Sequence, residues 1–113
     1  MSIDTPDIQK NDETKEKNKV EHPPKYGIHL LNSDYAEFSS VIETLSKAFD
    51  IDEATAFKIT HSVHFNGIAL LKTYANKDLA ETKKELAYQT LCELHEDKGL
   101  EQPSEIFSVE KVD

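Results

Sequence analysis

The composition of the chain changes at Pro23-Pro24, and this change confines the folded part to the residues that follow. Between Asp4 and His22 the chain has six acidic residues, four lysines and no aromatic residue. Such a segment buries too little apolar surface to offset its ordering entropy. We therefore predict that residues 1–22 form a mobile N-terminal extension, either with a role of its own or as a simple frayed terminus. Residues 23–113 suit one small domain.

The charge of the chain argues against several classes of partner. Its 113 residues include 22 acidic and 13 basic side chains, for a formal net charge of -9. This field repels phosphate backbones and anionic lipid, so we expect neither a nucleic-acid nor a membrane partner. A single cysteine, Cys92, cannot form an intrachain disulfide. The first residues carry no basic and apolar signal pattern, so we expect a cytoplasmic, reducing environment.

The first half of the domain shows one strand pattern and two helix patterns. Alternating apolar residues predict a strand over Lys25–Leu31. A helix follows, with its apolar face at helical spacing: Phe38, Val41, Ile42, Leu45 and Phe49. Asp50 and Asp52 offer N-cap chemistry for a second helix that ends at Asn66-Gly67. We expect this second helix to carry Phe57, Thr60, Val63 and His64.

The second half predicts a strand, a long helix and a short last strand. The strand covers Ile68 to Tyr74, and Asn76 can cap a helix from about Lys77 to Glu96, which Gly99 ends. The apolar positions of that helix are Leu79, Leu86, Leu91 and Leu94. The last strand covers Ile106–Val109. The order β-α-α-β-α-β predicts an α+β fold, with a small three-stranded sheet and helices packed on one face.

Catalytic chemistry is poorly supported by the sequence. His61 and His64 have the i, i+3 spacing of two metal ligands on one helix face, but surface or pocket-edge histidines are the better interpretation. Glu81 and Glu85 lie beside two lysines and are typical of a solvated helix face. No combination of nucleophile, base and orienting group is evident. We expect a protein that is not an enzyme and has no cofactor or bound metal.

A candidate binding site is formed by Asn32, Asp34 and His64. The first two follow the first strand, and His64 lies near the end of the second helix. Polar groups at the rim of an apolar cleft form a binding site more readily than a catalytic one. By spacing alone, however, Asn32-Ser33-Asp34 is also an ordinary turn. If the first two helices pack through Val41, Leu45 and Phe57, the loop and His64 can meet at the mouth of a small apolar cleft. That packing would favour the binding site over the ordinary turn.

Four runs of sequence add a resemblance to a known family. They are Pro23–Tyr26, Leu30–Tyr35, Val63–Gly67 and Leu79–Lys83. Together they resemble the ClpS family, the N-end rule adaptors that bring N-degron substrates to Clp-type AAA+ proteases. The resemblance covers about residues 23–111. It implies that the chain binds proteins with a bulky hydrophobic N-terminal residue and delivers them to a Clp-type unfoldase.

The resemblance also implies roles for particular residues. Asn32, Asp34 and His64 would bind the substrate's α-amino group. The pocket for the first side chain would be formed by Ala36, Phe38, Val41, Thr60 and Val63. The N-terminal domain of the unfoldase would face Asp78, Glu81, Thr82 and Lys83.

The loop after the first strand departs from the family pattern. Ser33, Ala36, Glu37 and Phe38 stand where the family usually has an acid, a threonine, a proline and a methionine. Thr60 also replaces a frequent methionine. The amine-binding trio is intact, but we expect the rigid ring of Phe38 to narrow the pocket against β-branched residues. The alternative function is a structural interaction module of similar fold, like the C-terminal domain of the ribosomal stalk protein, and a metal-dependent enzyme is a distant third.

Overall fold

A computed structural model describes residues 24–112, so the predicted N-terminal extension lies outside the described residues. Six elements follow one another in the predicted order, which confirms the α+β class. They are β1 (Lys25–Leu31), α1 (Phe38–Phe49), α2 (Glu53–Asn66), β2 (Ile68–Tyr74), α3 (Lys77–Asp97) and β3 (Phe107–Val112).

The three strands form one antiparallel sheet in the order β2-β1-β3. The central strand pairs Leu31 with Ile68 of β2 and Leu30 with Phe107 of β3. The end of β1 therefore lies beside the starts of both neighbouring strands. This register brings the loop after β1 next to the end of α2 and next to Ile106, although these segments are far apart in sequence.

The core lies between the sheet and the helices. Ile28 and Leu30 of β1 are buried, as are Val41, Leu45 and Phe49 of α1. The predicted face of the first helix is therefore confirmed at these three positions. Complete burial of one such side chain contributes about 1.5–3 kcal/mol to folding.

The packing face of α2 agrees only in part with the prediction. Phe57 contacts α1, as expected, but it is 50% exposed and does not enter the core. The buried residues of α2 are Ala56, Thr60 and Val63, which lie at i, i+4 and i+7. Phe57 instead places its ring 5.5 Å from that of Phe38 in an edge-to-face pair. An aromatic pair of this geometry stabilises two partly exposed rings without either entering the core.

The packing face of α3 also differs. Leu79 and Leu86, predicted as apolar contacts, are 43% and 49% exposed. The buried positions are Ala80, Ala87, Leu91 and His95. The two alanines let α3 approach its neighbours closely, so the face with the larger leucines turns outward.

The ends of the helices explain how the chain turns between elements. Asp52 caps α2 by accepting a hydrogen bond from the Thr55 N–H, as predicted. Asp50 was also a predicted N-cap, but it has φ 57° and instead forms the left-handed end of α1. Gly67 ends α2 with φ 88°, where glycine is favoured. Among residues 24–112, the helices are all too short or too polar to cross a bilayer.

Candidate functional site

Two backbone hydrogen bonds fix the loop that follows β1. The Leu31 N–H donates to the Ile106 carbonyl over 2.8 Å, and the Asn32 N–H donates to the Gly67 carbonyl over 3.1 Å. The second bond ties Asn32 to the end of α2, one turn after His64. The predicted neighbours Asn32 and His64 are thus brought together by main-chain geometry rather than by their own side chains.

The loop, α1 and α2 enclose a cavity of about 280 Å³. All of the predicted amine-binding and side-chain-pocket residues line it. The lining comprises Leu30, Leu31, Asn32, Ser33, Asp34, Ala36, Phe38, Val41, Thr60, Val63, His64 and Ile106. Ile106 was missed by sequence reasoning, because its place in the cavity depends on the pairing of β1 with the segment before β3.

The cavity has an apolar floor and a polar rim. Leu30, Val41, Val63 and Ile106 are buried, whereas the rim residues Asn32, Asp34 and His64 are exposed. Thr60 is also buried, and its hydroxyl donates to the Ala56 carbonyl over 2.8 Å, so the floor holds no unpaired hydroxyl at this position. A ligand with an apolar side chain and an adjacent polar group matches this division.

The wall of the cavity on the α1 side is aromatic. Phe38 lines it with 41% of its surface exposed and packs against Phe57. Phe57 in turn stacks on His61 with ring centroids 6.0 Å apart, and His61 lies 5.1 Å from Phe65. The row of rings along α2 therefore begins at the cavity.

Comparison with known proteins identifies the family. The model of the family described as ATP-dependent Clp protease adaptor protein ClpS matches residues 21–101, well over half of the chain. The chain belongs to the ClpS family. It is thus a member of a family of Clp protease adaptors, which are not themselves proteases.

Individual relatives agree with this assignment. The ClpS adapter of Clostridium acetobutylicum is 43% identical over 79 residues, which cover 66% of this chain and 77% of that protein. The ClpS adapter of Vibrio atlanticus is 34% identical over 90 residues, 73% of this chain and 84% of that protein. The structure of Agrobacterium tumefaciens ClpS2 bound to L-phenylalaninamide matches with a TM-score of 0.63 and 28% identity, covering 80% of this chain and 99% of that chain.

The residues expected to face the unfoldase lie apart from the cavity lining. Asp78, Glu81, Thr82 and Lys83 all belong to the first two turns of α3. Asp78 and Thr82 are exposed, and Glu81 forms an ion pair of 3.6 Å with Lys84. In this ClpS-family chain they form a separate polar surface, and their role stays a prediction.

The histidines considered as metal ligands have other surroundings. His61 stacks on Phe57, and His64 lies at the cavity rim against the edge of Phe65. Within the described residues 24–112, no group of three or more histidine, cysteine or acidic side chains is arranged to hold a metal ion.

Proposed function

We propose that this ClpS-family protein binds other proteins through a bulky hydrophobic N-terminal residue and delivers them to a Clp-type AAA+ unfoldase. One observation carries the proposal: a single cavity combines an apolar floor with a rim formed by Asn32, Asp34 and His64. The similarity to a ClpS2 bound to L-phenylalaninamide supports it, since that ligand joins a free amine to a bulky apolar side chain.

The chemistry of the rim suits an ammonium ion. A free α-amino group has a pKa of about 7.7–8.0, so it is mostly cationic at neutral pH. The Asp34 carboxylate supplies the opposite charge, while the Asn32 amide oxygen and a His64 ring nitrogen can accept the remaining ammonium N–H groups. An internal segment of a protein has no such amine, and it would cover Asp34 without pairing its charge. This penalty lets the site discriminate between the free N-terminus of a protein and an internal segment.

The floor of the cavity selects the first side chain. Burial of a Leu or Phe side chain contributes about 1.5–3 kcal/mol, which is partly offset by the entropy lost on association. Such a site binds weakly to moderately, as an adaptor that must release its cargo requires.

Because the ring of Phe38 has few rotamers with which to move aside, Leu and Phe bind best and Ile and Val bind poorly. The Phe38→Ala variant then binds Ile and Val better relative to Leu.

The amine-binding role is tested by replacing neighbouring residues of the loop. Asp34→Ala is expected to weaken binding of a Leu-initiated peptide by about tenfold or more, because it removes the charge that pairs with the ammonium. Ser33→Ala is the matched control, since Ser33 lines the same cavity but, among the described residues 24–112, its hydroxyl accepts only the Tyr35 N–H over 3.2 Å. Fluorescence polarisation of labelled peptides measures both affinities.

Acetylation of the peptide N-terminus removes the same charge from the other partner and is expected to reproduce the loss seen in Asp34→Ala. Equal effects of Asp34→Ala and Ser33→Ala, or tight binding of the acetylated peptide, would contradict the assignment.

A further inference from the structure

Glu37 lies between two residues of the cavity lining, Ala36 and Phe38, and α1 begins directly after it. Its backbone is extended, with φ -70° and ψ 131°, and its side chain does not cap the helix backbone. Its carboxylate accepts from the Ser39 and Ser40 hydroxyls of α1, and its N–H and carboxylate also reach His95 and Lys98 at the distant C-terminal end of α3. This short segment of the pocket is therefore attached to an element that does not line the pocket.

His95 contacts the backbone on both sides of its ring. It is 1% exposed; the Glu37 N–H donates to its Nε2 over 3.1 Å, and its Nδ1 lies 2.7 Å from the Glu101 carbonyl oxygen. A backbone N–H can only donate and a carbonyl can only accept, so Nε2 is the acceptor and Nδ1 carries the proton. The neutral ring thus joins the segment before α1 to the segment after α3, which continues to Ile106 of the cavity floor.

Lys98 holds the side chain of the same glutamate. Its Nζ donates to Glu37 Oε1 over 2.8 Å, to Ser40 Oγ over 2.8 Å and to Ser39 Oγ over 3.2 Å. The Ser40 hydroxyl also donates to the Glu37 carboxylate. The hydrogen bond from Lys98, followed by that from Ser40, lowers the pKa of Glu37 from 4.5 to about 2. The carboxylate is therefore ionised, and fully able to accept these bonds, at neutral pH.

We propose that Glu37, His95 and Lys98, here called the Glu37 anchor, are positioning residues that hold Phe38 as a fixed wall of the cavity. The inference rests on the proposed function, because the fixed wall then sets the preference for the first residue of a bound protein. Phe38 follows Glu37 directly in the chain, so a shift of the Glu37 backbone moves the aromatic ring. A fixed ring leaves little room for a branch at the Cβ of the ligand, whereas a loosened ring admits it.

The affinity test compares Leu-initiated and Ile-initiated peptides. Lys98→Met keeps the aliphatic stem but removes the ammonium, and the ratio of Ile to Leu dissociation constants is expected to fall about three- to fivefold. Lys98→Arg restores a donor and is expected to keep the ratio. Lys47→Met is the matched control, because Lys47 forms an ion pair of 3.1 Å with Glu43 on the same helix, α1, but not with the anchor.

A second pair of variants separates the two nitrogens of His95. The amide of a glutamine reaches the position of Nε2 and can accept the Glu37 N–H, whereas the shorter asparagine reaches only the position of Nδ1. His95→Asn is therefore expected to lower the ratio as Lys98→Met does, and His95→Gln to keep more of it. Thermal denaturation of each variant establishes that it is folded at the temperature of the binding measurement.

Hydrogen exchange tests the anchor without any peptide. The Glu37 amide is expected to exchange about five- to tenfold faster in His95→Asn than in the original chain, because its N–H loses the hydrogen bond to the His95 ring. The Gly67 amide, which donates to the Val63 carbonyl over 2.8 Å, is the internal reference and is expected to be unchanged.

Faster exchange at Glu37 together with a lower ratio supports the proposal. An unchanged ratio in folded Lys98→Met and His95→Asn, or unchanged exchange at Glu37 in folded His95→Asn, overturns it. Failure of the original chain to bind Leu-initiated peptides would instead overturn the proposed function, and the exchange measurement would still decide whether the anchor holds the segment.

Discussion

Thr44 is fully buried in α1, and its hydroxyl has no hydrogen-bond partner among residues 24–112. A buried hydroxyl without a partner loses its bonds to water and gains nothing in return. We expect Thr44→Val, which keeps the shape of the side chain, to raise the free energy of unfolding by about 1 kcal/mol. Thermal denaturation measures the change, with Thr60→Val as control because the Thr60 hydroxyl is paired with Ala56. Similar losses of stability in both variants would contradict this account.

Some polar residues around the cavity could be predicted from the sequence, whereas others could not. Asn32, Asp34 and His64, which line the cavity, could be proposed from the sequence because turn residues and a helix-end histidine are recognisable, and because their runs resemble a known family. His95 was not found. In the sequence it is one polar residue in a highly charged helix, and its burial depends on partners at Glu37 and Glu101 that no local pattern reveals.

At the scale of elements, the end of α2 is coupled to the pocket through Gly67. Its left-handed φ of 88° disfavours any residue with a Cβ, although the space around it is open. Gly67→Ala is expected to lower the free energy of unfolding by about 1 kcal/mol. It is also expected to weaken peptide binding, because the Gly67 carbonyl holds the Asn32 N–H.

Gly67→Asn is the matched variant, since asparagine tolerates the left-handed conformation better than alanine. Chemical denaturation and peptide titration measure the two effects. Equal losses of stability in Gly67→Ala and Gly67→Asn would contradict the account that the left-handed backbone conformation decides at this position.

The elements themselves were largely predictable, whereas their packing faces were only partly so. Periodicity and cap residues placed both long strands and all three helices within a few residues of their observed ends. The predicted face of α3 was correct at Leu91, which is buried, but wrong at Leu79 and Leu86, because sequence reasoning ranked these leucines above the alanines. In the fold, close approach of the backbone favours small residues at the contact, so Ala80 and Ala87 are buried and the leucines remain on the outside.

At the scale of the whole molecule, we propose that binding and delivery depend on different parts of the chain. The cavity is built from β1, its following loop, α1, α2 and the segment before β3. The polar residues at the start of α3 do not line it. Residues 1–22 carry six acidic side chains and four lysines and lie outside the described residues. The resemblance to the family implies that the unfoldase engages this N-terminal segment.

A chain that begins at Pro23 tests this division. We expect it to bind a Leu-initiated peptide with unchanged affinity, because every residue that lines the cavity is retained. We expect it to fail in promoting degradation of a Leu-initiated fluorescent substrate by a reconstituted Clp unfoldase and protease. A full-length chain in which residues 2–22 are scrambled is the matched control, since it preserves length and charge and shows whether the order of residues matters. If the shortened chain delivers the substrate at the full rate, the N-terminal segment has no part in delivery, and the surface at the start of α3 becomes the candidate to test next.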